Sequence, residues 1–168
     1  MSDTNPLSSL LVKTVEVTRI FGTAIGFYLV YDAYGVDDTQ GALMRLVLTL
    51  GVGMCATCAI EGVFLSKATA REKGYDLGEE QVNPYHIQNA MWFVSGTFMA
   101  GFVYWFYPTS KTAGSTYVML ILIFFGLSAL NHGYQAIRHG NFTWQNLNRP
   151  FLFVALIAAS LPIIAKSL

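Results

Sequence analysis

Six side chains capable of chemistry lie where a polar group is least at home: Glu61, His86, Asn89, Asn131, His132 and Gln135. Each falls within or at the edge of a long apolar stretch. Hydrocarbon offers no hydrogen bonds, so such groups must find partners in protein or reach the interface. Their spacing allows shared helical faces. His86 and Asn89 are three apart, as are His132 and Gln135, and Asn131 and Gln135 are four apart, all neighbouring positions on a helix. A carboxylate with two imidazoles is a donor set that suits zinc or iron, here Glu61, His86 and His132. His86 and His132 on antiparallel neighbours could ligate a b-type haem, and His, Gln and Tyr could hold a quinone headgroup. No HxxxH or ExxH spacing supports a metal. Counted from the outer helix ends, the two histidines also differ in depth by roughly 6 Å at the helical rise. No cofactor is therefore expected. The plainer alternative is that these groups join helices by hydrogen bonds worth about 0.6 kcal/mol each, sometimes 1–2. Glu61 is the most telling member, because a carboxylate within a span is costly to keep charged. It could be protonated, paired with Arg19 or Lys67, or part of a proton path.

Cys55-Ala56-Thr57-Cys58 has the form of a redox CxxC motif. The chain has no second cysteine pair to pass electrons on, and thiols in hydrocarbon stay protonated and inert. Gly51, Cys55, Cys58 and Gly62 instead form a small-residue stripe against which another helix can pack. Gly22-xxx-Gly26 and Gly96-xxx-Ala100 have the same character.

The elements that must position these residues follow from composition. Of 168 residues 54% are hydrophobic and 12% charged, about half the charged share of a soluble protein, and the apolar ones come in long blocks. A spanning helix needs about 20 mostly apolar residues. The sequence predicts one all-α domain over 1–168, an integral membrane helical bundle of four to five transmembrane helices. The spans fall at about 15–34, 42–65, 86–107, 115–137 and 151–165, with a cytoplasmic loop at 66–83 that is a short surface helix or an ordered loop, or alternatively a partner-docking segment. The fifth is short and introduced by Pro150. An amphipathic lead-in containing Leu7, Leu10, Leu11, Lys13 and Glu16 precedes the first. The N-terminus lacks the basic and apolar regions of a signal peptide, and no lipidation signal is expected. A net charge of zero gives no electrostatic case for nucleic acid.

Lysine and arginine favour cytoplasmic loops. Five spans put Lys13, Arg19, Lys67, Arg71, Lys73, Arg138 and Arg149 on one side and Arg45, Lys111 and Lys166 on the other. The N-terminus is thus expected inside and the C-terminus outside. Tyr85, Trp92, Tyr134 and Trp144 then form the inner aromatic belt, and Tyr28, Tyr31, Tyr34, Tyr104, Trp105, Tyr107 and Tyr117 the outer one. The same topology gathers Glu61, His86, Asn89, Asn131, His132 and Gln135, with Glu16 and Arg19, in the cytoplasmic leaflet.

The run Asn131 to Phe151, with His132, Tyr134 and then His139-Gly140-Asn141-Phe142, resembles the C-terminal part of a family of small bacterial multi-pass membrane proteins of uncharacterised function. The resemblance covers the last third of the chain. It implies a bacterial inner (cytoplasmic) membrane location and supplies no catalytic residues. The function expected is non-enzymatic: an accessory subunit, or a binder of a partner, lipid or small ligand at the polar cluster, with the bilayer and other membrane subunits or a second copy as partners. The alternative from a different class is a redox or proton-linked protein using Glu61, His86 and His132. A minimal transporter is a third option, for which the sequence offers no internal repeat.

Overall fold

The computed structural model of the chain describes residues 6–72 and 84–168, without the side chains at 6, 71–72, 84–86 and 145. Its elements are all helical: α1 Pro6–Gly35, α2 Thr39–Phe64, α3 Ser66–Glu72, α4 Pro84–Phe106, α5 Lys111–His139 and α6 Trp144–Ser167. Three helices among the described residues are long and apolar enough to cross a membrane: α2, α5, and α6 from Asn146. The helix α1 is longer still at 30 residues, but carries Lys13, Glu16, Arg19 and Asp32. Outward faces are as greasy as the interior, with Phe21, Phe64, Phe98, Ile137 and Phe151 all largely exposed. Apolar surface on that scale marks a membrane or partner surface.

Short polar connections set where the helices turn. Asp38 accepts a hydrogen bond from the Gly41 N–H at 2.8 Å and caps α2, while Ser110 accepts from Ala113 N at 3.2 Å and caps α5. Asp37 sits at φ 61°, a left-handed conformation that Asp tolerates better than most residues. The α5 terminus is closed by Gly140 at φ 62°, whose N–H returns to the Gln135 carbonyl, a left-handed cap for which glycine is suited.

The helix α2 is the axis of the bundle and touches α1, α4, α5 and α6. Leu43, Leu46, Val47 and Leu50 are completely buried along it. Its middle, Thr49–Ala56, winds as a π-helix, a widened form that appears where side chains and neighbours disturb the regular ladder. Hydroxyls flank this segment: Thr49 donates to the Arg45 carbonyl at 2.7 Å and Thr57 to Gly53 and Met54 carbonyls at 2.9 Å. Gly51, Cys55 and Gly62 face α4. A Cβ on Gly51 would lie 2.1 Å from Ala100 Cβ, one on Gly62 2.7 Å from Ala90 Cβ, and one on Gly96 3.3 Å from Cys55 Sγ. Gly26 packs equally tightly on Thr49, whereas Gly22, expected to act with it, meets nothing within 4 Å.

One end of the bundle is tied by Lys166 to Asp37 at 2.7 Å, by Arg45 to the Leu29 carbonyl at 2.8 Å and by Gln40 to the Pro108 carbonyl at 2.8 Å. Since α6 ends beside the end of α1, these two helices run parallel. Two sequence expectations change here. The last helix starts at Trp144 and contains Pro150, instead of starting after it. A proline there removes one hydrogen bond to the residue four back, and the helix continues through it. Tyr117 is 3% exposed and donates to the Gly96 carbonyl at 3.0 Å. It is a core residue, not part of an aromatic belt, and the missing side chain of Gly51 leaves space for the phenol: a Cβ there would lie 3.1 Å from Tyr117 Oη.

Candidate functional site

At the end opposite the Lys166 tie, all six helices converge on a cavity of about 70 Å³. Its walls include Arg19 from α1, Cys58 and Glu61 from α2, Thr69 from α3, Asn89 from α4, Ser128 and His132 from α5, and Arg149 from α6. Glu61 is 6% exposed and forms an ion pair with Arg19. Arg19 also donates from Nε to Thr57 Oγ1 at 3.0 Å. One guanidinium therefore binds two residues a helical turn apart on α2, which is the fork geometry that distinguishes Arg from Lys. The other candidate partner, Lys67, lies beyond the end of α2 on α3. The carboxylate in the span is thus held as half of a charge pair.

His132 is 8% exposed, and its Nδ1 lies 2.6 Å from Asn146 Oδ1. Asn146 is completely buried and donates from Nδ2 to the Asn141 carbonyl at 3.0 Å. That second bond fixes which way the amide points. Its oxygen faces the ring, so a neutral His132 carries its proton on Nδ1.

Of the six candidates, Glu61, Asn89 and His132 border the cavity. Gln135 is half-buried one turn beyond His132, and Asn131 is exposed; neither is among the cavity-lining residues. His86 is in the first turn of α4, and its side chain lies outside the described residues. Among the described residues no three His, Cys, Asp or Glu side chains come together to hold a metal. Cys58, expected in the small-residue stripe of α2 with Gly51, Cys55 and Gly62, borders the cavity beside Arg19. It is buried, as is Cys55, and both are free thiols.

Sequence reasoning missed two members of the site. Asn146 and Arg149 lie ahead of Pro150, in a stretch assigned to a loop, yet they occupy one face of α6 at a spacing of three. The helical spacing Asn-x-x-Arg, following a Thr suited to capping, was the available signal. Two buried donors in the cavity wall have no hydrogen-bond partner among the described residues: Arg149 Nε and Thr69 Oγ1. Thr69 is 1% exposed. Buried polar groups are rarely left so; the Thr23, Ser115 and Ser160 hydroxyls share that state outside this cavity's lining, and Arg149 is the charged group among the five.

A second cavity of about 90 Å³ adjoins the first through shared walls at Arg19, Cys58, Phe125, Ser128 and Arg149. It lies between α1 and α6 and is mainly apolar, with Ile20, Met54 and Leu156 among its lining. The fold and site together describe a helical bundle with membrane-length apolar helices and a polar cavity at one end. No protein family, curated protein or solved structure matches this chain.

Proposed function

We propose that the chain is a non-enzymatic multi-pass membrane protein that holds a small ligand in the Arg19–Arg149 cavity, as a binding or accessory component. In this reading α1, α2, α4, α5 and α6 each cross the bilayer, the N-terminus is cytoplasmic, and the cavity lies in the cytoplasmic leaflet of a bacterial inner membrane. The parallel course of α1 and α6 supports an odd number of crossings. The lysine and arginine bias supports the orientation. The observation that carries the binding function is the cavity itself: six helices supply its wall, and two of its buried donors lack partners among the described residues. A structural polar cluster would close on itself, as His132 and Asn146 do.

Two measurements test this. Accessibility labelling of cysteines added at either end, in cells and in opened vesicles, should place the termini on opposite sides. Native mass spectrometry of the chain released from mild detergent should show a bound small molecule that Arg149→Gln removes. Termini on one side, or a ligand-free chain unchanged by the substitution, would overturn the proposal.

A further inference from the structure

The charges around the cavity restrict its ligand, and the neighbouring cleft restricts it again. Arg19 is committed to Glu61 and Thr57. Arg149 has neither a hydrogen bond nor an ion pair to any described residue, and its Nε is buried. An arginine cannot shed its charge in a protein, so a partly buried one without a partner favours an anion. Carboxylate and phosphate match the guanidinium fork. Thr69 Oγ1, Asn89, Ser128 and His132 surround the same space with further hydrogen-bonding groups. The cavity's 70 Å³ is several times the roughly 10–15 Å³ of such space that one water needs, room for a headgroup-sized anion.

Beyond Arg149 the walls become hydrocarbon: Ile20, Met54, Phe125, Leu152, Phe153 and Leu156. Ile20 and Leu152 are each 54% exposed, so this cleft reaches the outer face of the bundle between α1 and α6. For a membrane-embedded bundle that face meets acyl chains. Glu16, half-buried on the same cleft, disfavours a second negative group further out, which fits a tail and not an extended polyanion. Resting on the proposal that the cavity binds a ligand, we infer that the ligand is an anionic amphiphile. Its carboxylate or phosphate head sits against Arg149 in the polar cavity, and its hydrocarbon tail leaves through the α1–α6 cleft toward the bilayer.

The test uses the full chain in neutral detergent at pH 8, probed with oleate, oleyl alcohol, acetate and inorganic phosphate by native mass spectrometry and thermal unfolding. Oleate should bind one per chain and raise the unfolding temperature. Oleyl alcohol, acetate and phosphate should each bind at least tenfold more weakly. Arg149→Gln should weaken oleate at least tenfold, Arg149→Lys, which keeps the charge without the fork, should weaken it less, and Leu152→Asn, a neutral change in the tail cleft, should also weaken oleate. Size-exclusion profiles and the ligand-free unfolding temperature identify any variant that fails to fold. Equal binding of oleyl alcohol would overturn the anionic head. Acetate or phosphate binding as tightly as oleate would overturn the tail and leave the cavity as a small-anion site. A folded chain that binds none of the probes and carries no ligand from the cell would overturn both this inference and the binding function.

Discussion

Removing one partner at a time from the Arg19–Glu61 pair should destabilise the protein unequally, and removing both should cost less than the worse single change. The two side chains are 12% and 8% exposed, so each relies on its protein partners, the other among them, for the solvation it has lost. Breaking a buried pair by deleting one partner typically costs about 3–5 kcal/mol, whereas replacing both by apolar residues is often close to neutral. The chemistry of the survivor sets the asymmetry. In Arg19→Leu, Glu61 loses the guanidinium and can take up a proton and become neutral. In Glu61→Leu the stranded guanidinium stays charged and keeps only its bond to Thr57 Oγ1. Glu61→Leu should therefore cost about 3–5 kcal/mol, and Arg19→Leu less, because protonation, at roughly 3.7 kcal/mol for an ordinary glutamate at pH 7, caps the loss there. The double variant should lose about 1 kcal/mol for the missing Thr57 bond, plus a small packing term.

Reversible unfolding in mixed micelles, followed by circular dichroism, gives all four free energies. The cycle should yield a coupling of about 2 kcal/mol or more, well above the roughly 0.5 kcal/mol scatter of independent sites. Additive effects would show that the two charges are solvated separately. A larger loss for Arg19→Leu than for Glu61→Leu would show that Glu61 stays charged without its partner, contradicting the buried setting assigned to it.

Three further outcomes follow from other contacts. Gly51→Ala should destabilise by about 1–3 kcal/mol through overpacking, because the new Cβ would fall 2.1 Å from Ala100 Cβ; adding Ala100→Gly should recover most of the loss in the same unfolding assay. His132→Leu should cost about 1–3 kcal/mol by stranding the Asn146 oxygen in a position with no exposure, and equal stability would disprove the 2.6 Å contact. At the opposite end, the Lys166 ammonium holds the Asp37 carboxyl below its usual value of 3.8, first by hydrogen bond and then by charge. A lowered folded-state value stabilises above the unfolded one and is lost as the pH falls through the lowered value. Asp37→Asn, which keeps a residue tolerant of positive φ, should lower the unfolding temperature slightly at pH 7, and the difference should shrink as the pH falls below 3.8 and vanish once it is below the lowered value.

How far the site was legible depended on which helix supplied each residue. Glu61, Asn89 and His132 were found by counting depth along apolar runs. Asn131 was placed with them, yet one residue is about 100° of helix, and His132 takes the inward position while Asn131 turns out. Arg149 and Asn146 were hidden by proline. A Pro suits the first helical turn, so Pro150 suggested a beginning, whereas the helix had already made nearly two turns before it. Arg19 was visible as one optional partner for Glu61 and as a charge that orients a span, but its central place depended on which face of α1 meets α2. The π segment left no periodic signal because period counting assumes one pitch throughout.

The face that meets α1 was nonetheless written in the sequence at a spacing of four: Thr49, Gly53, Thr57 and Glu61. Down this row the antiparallel contacts run in order. Gly26 lies against Thr49, Thr23 against Gly53, and Arg19 against both Thr57 and Glu61. Small residues lead and a charge ends the row. The close approach at Gly26 and Gly53 brings the backbones of α1 and α2 together, and this proximity keeps water from the pair one or two turns further along. Widening that approach with Gly53→Leu, at a site where a Cβ would already meet Thr23 Oγ1 at 3.2 Å, should hydrate the Arg19–Glu61 pair and reduce its coupling energy. A coupling unchanged by Gly53→Leu would mean that the pair is held by the cavity wall alone and owes nothing to the packing of the two helices.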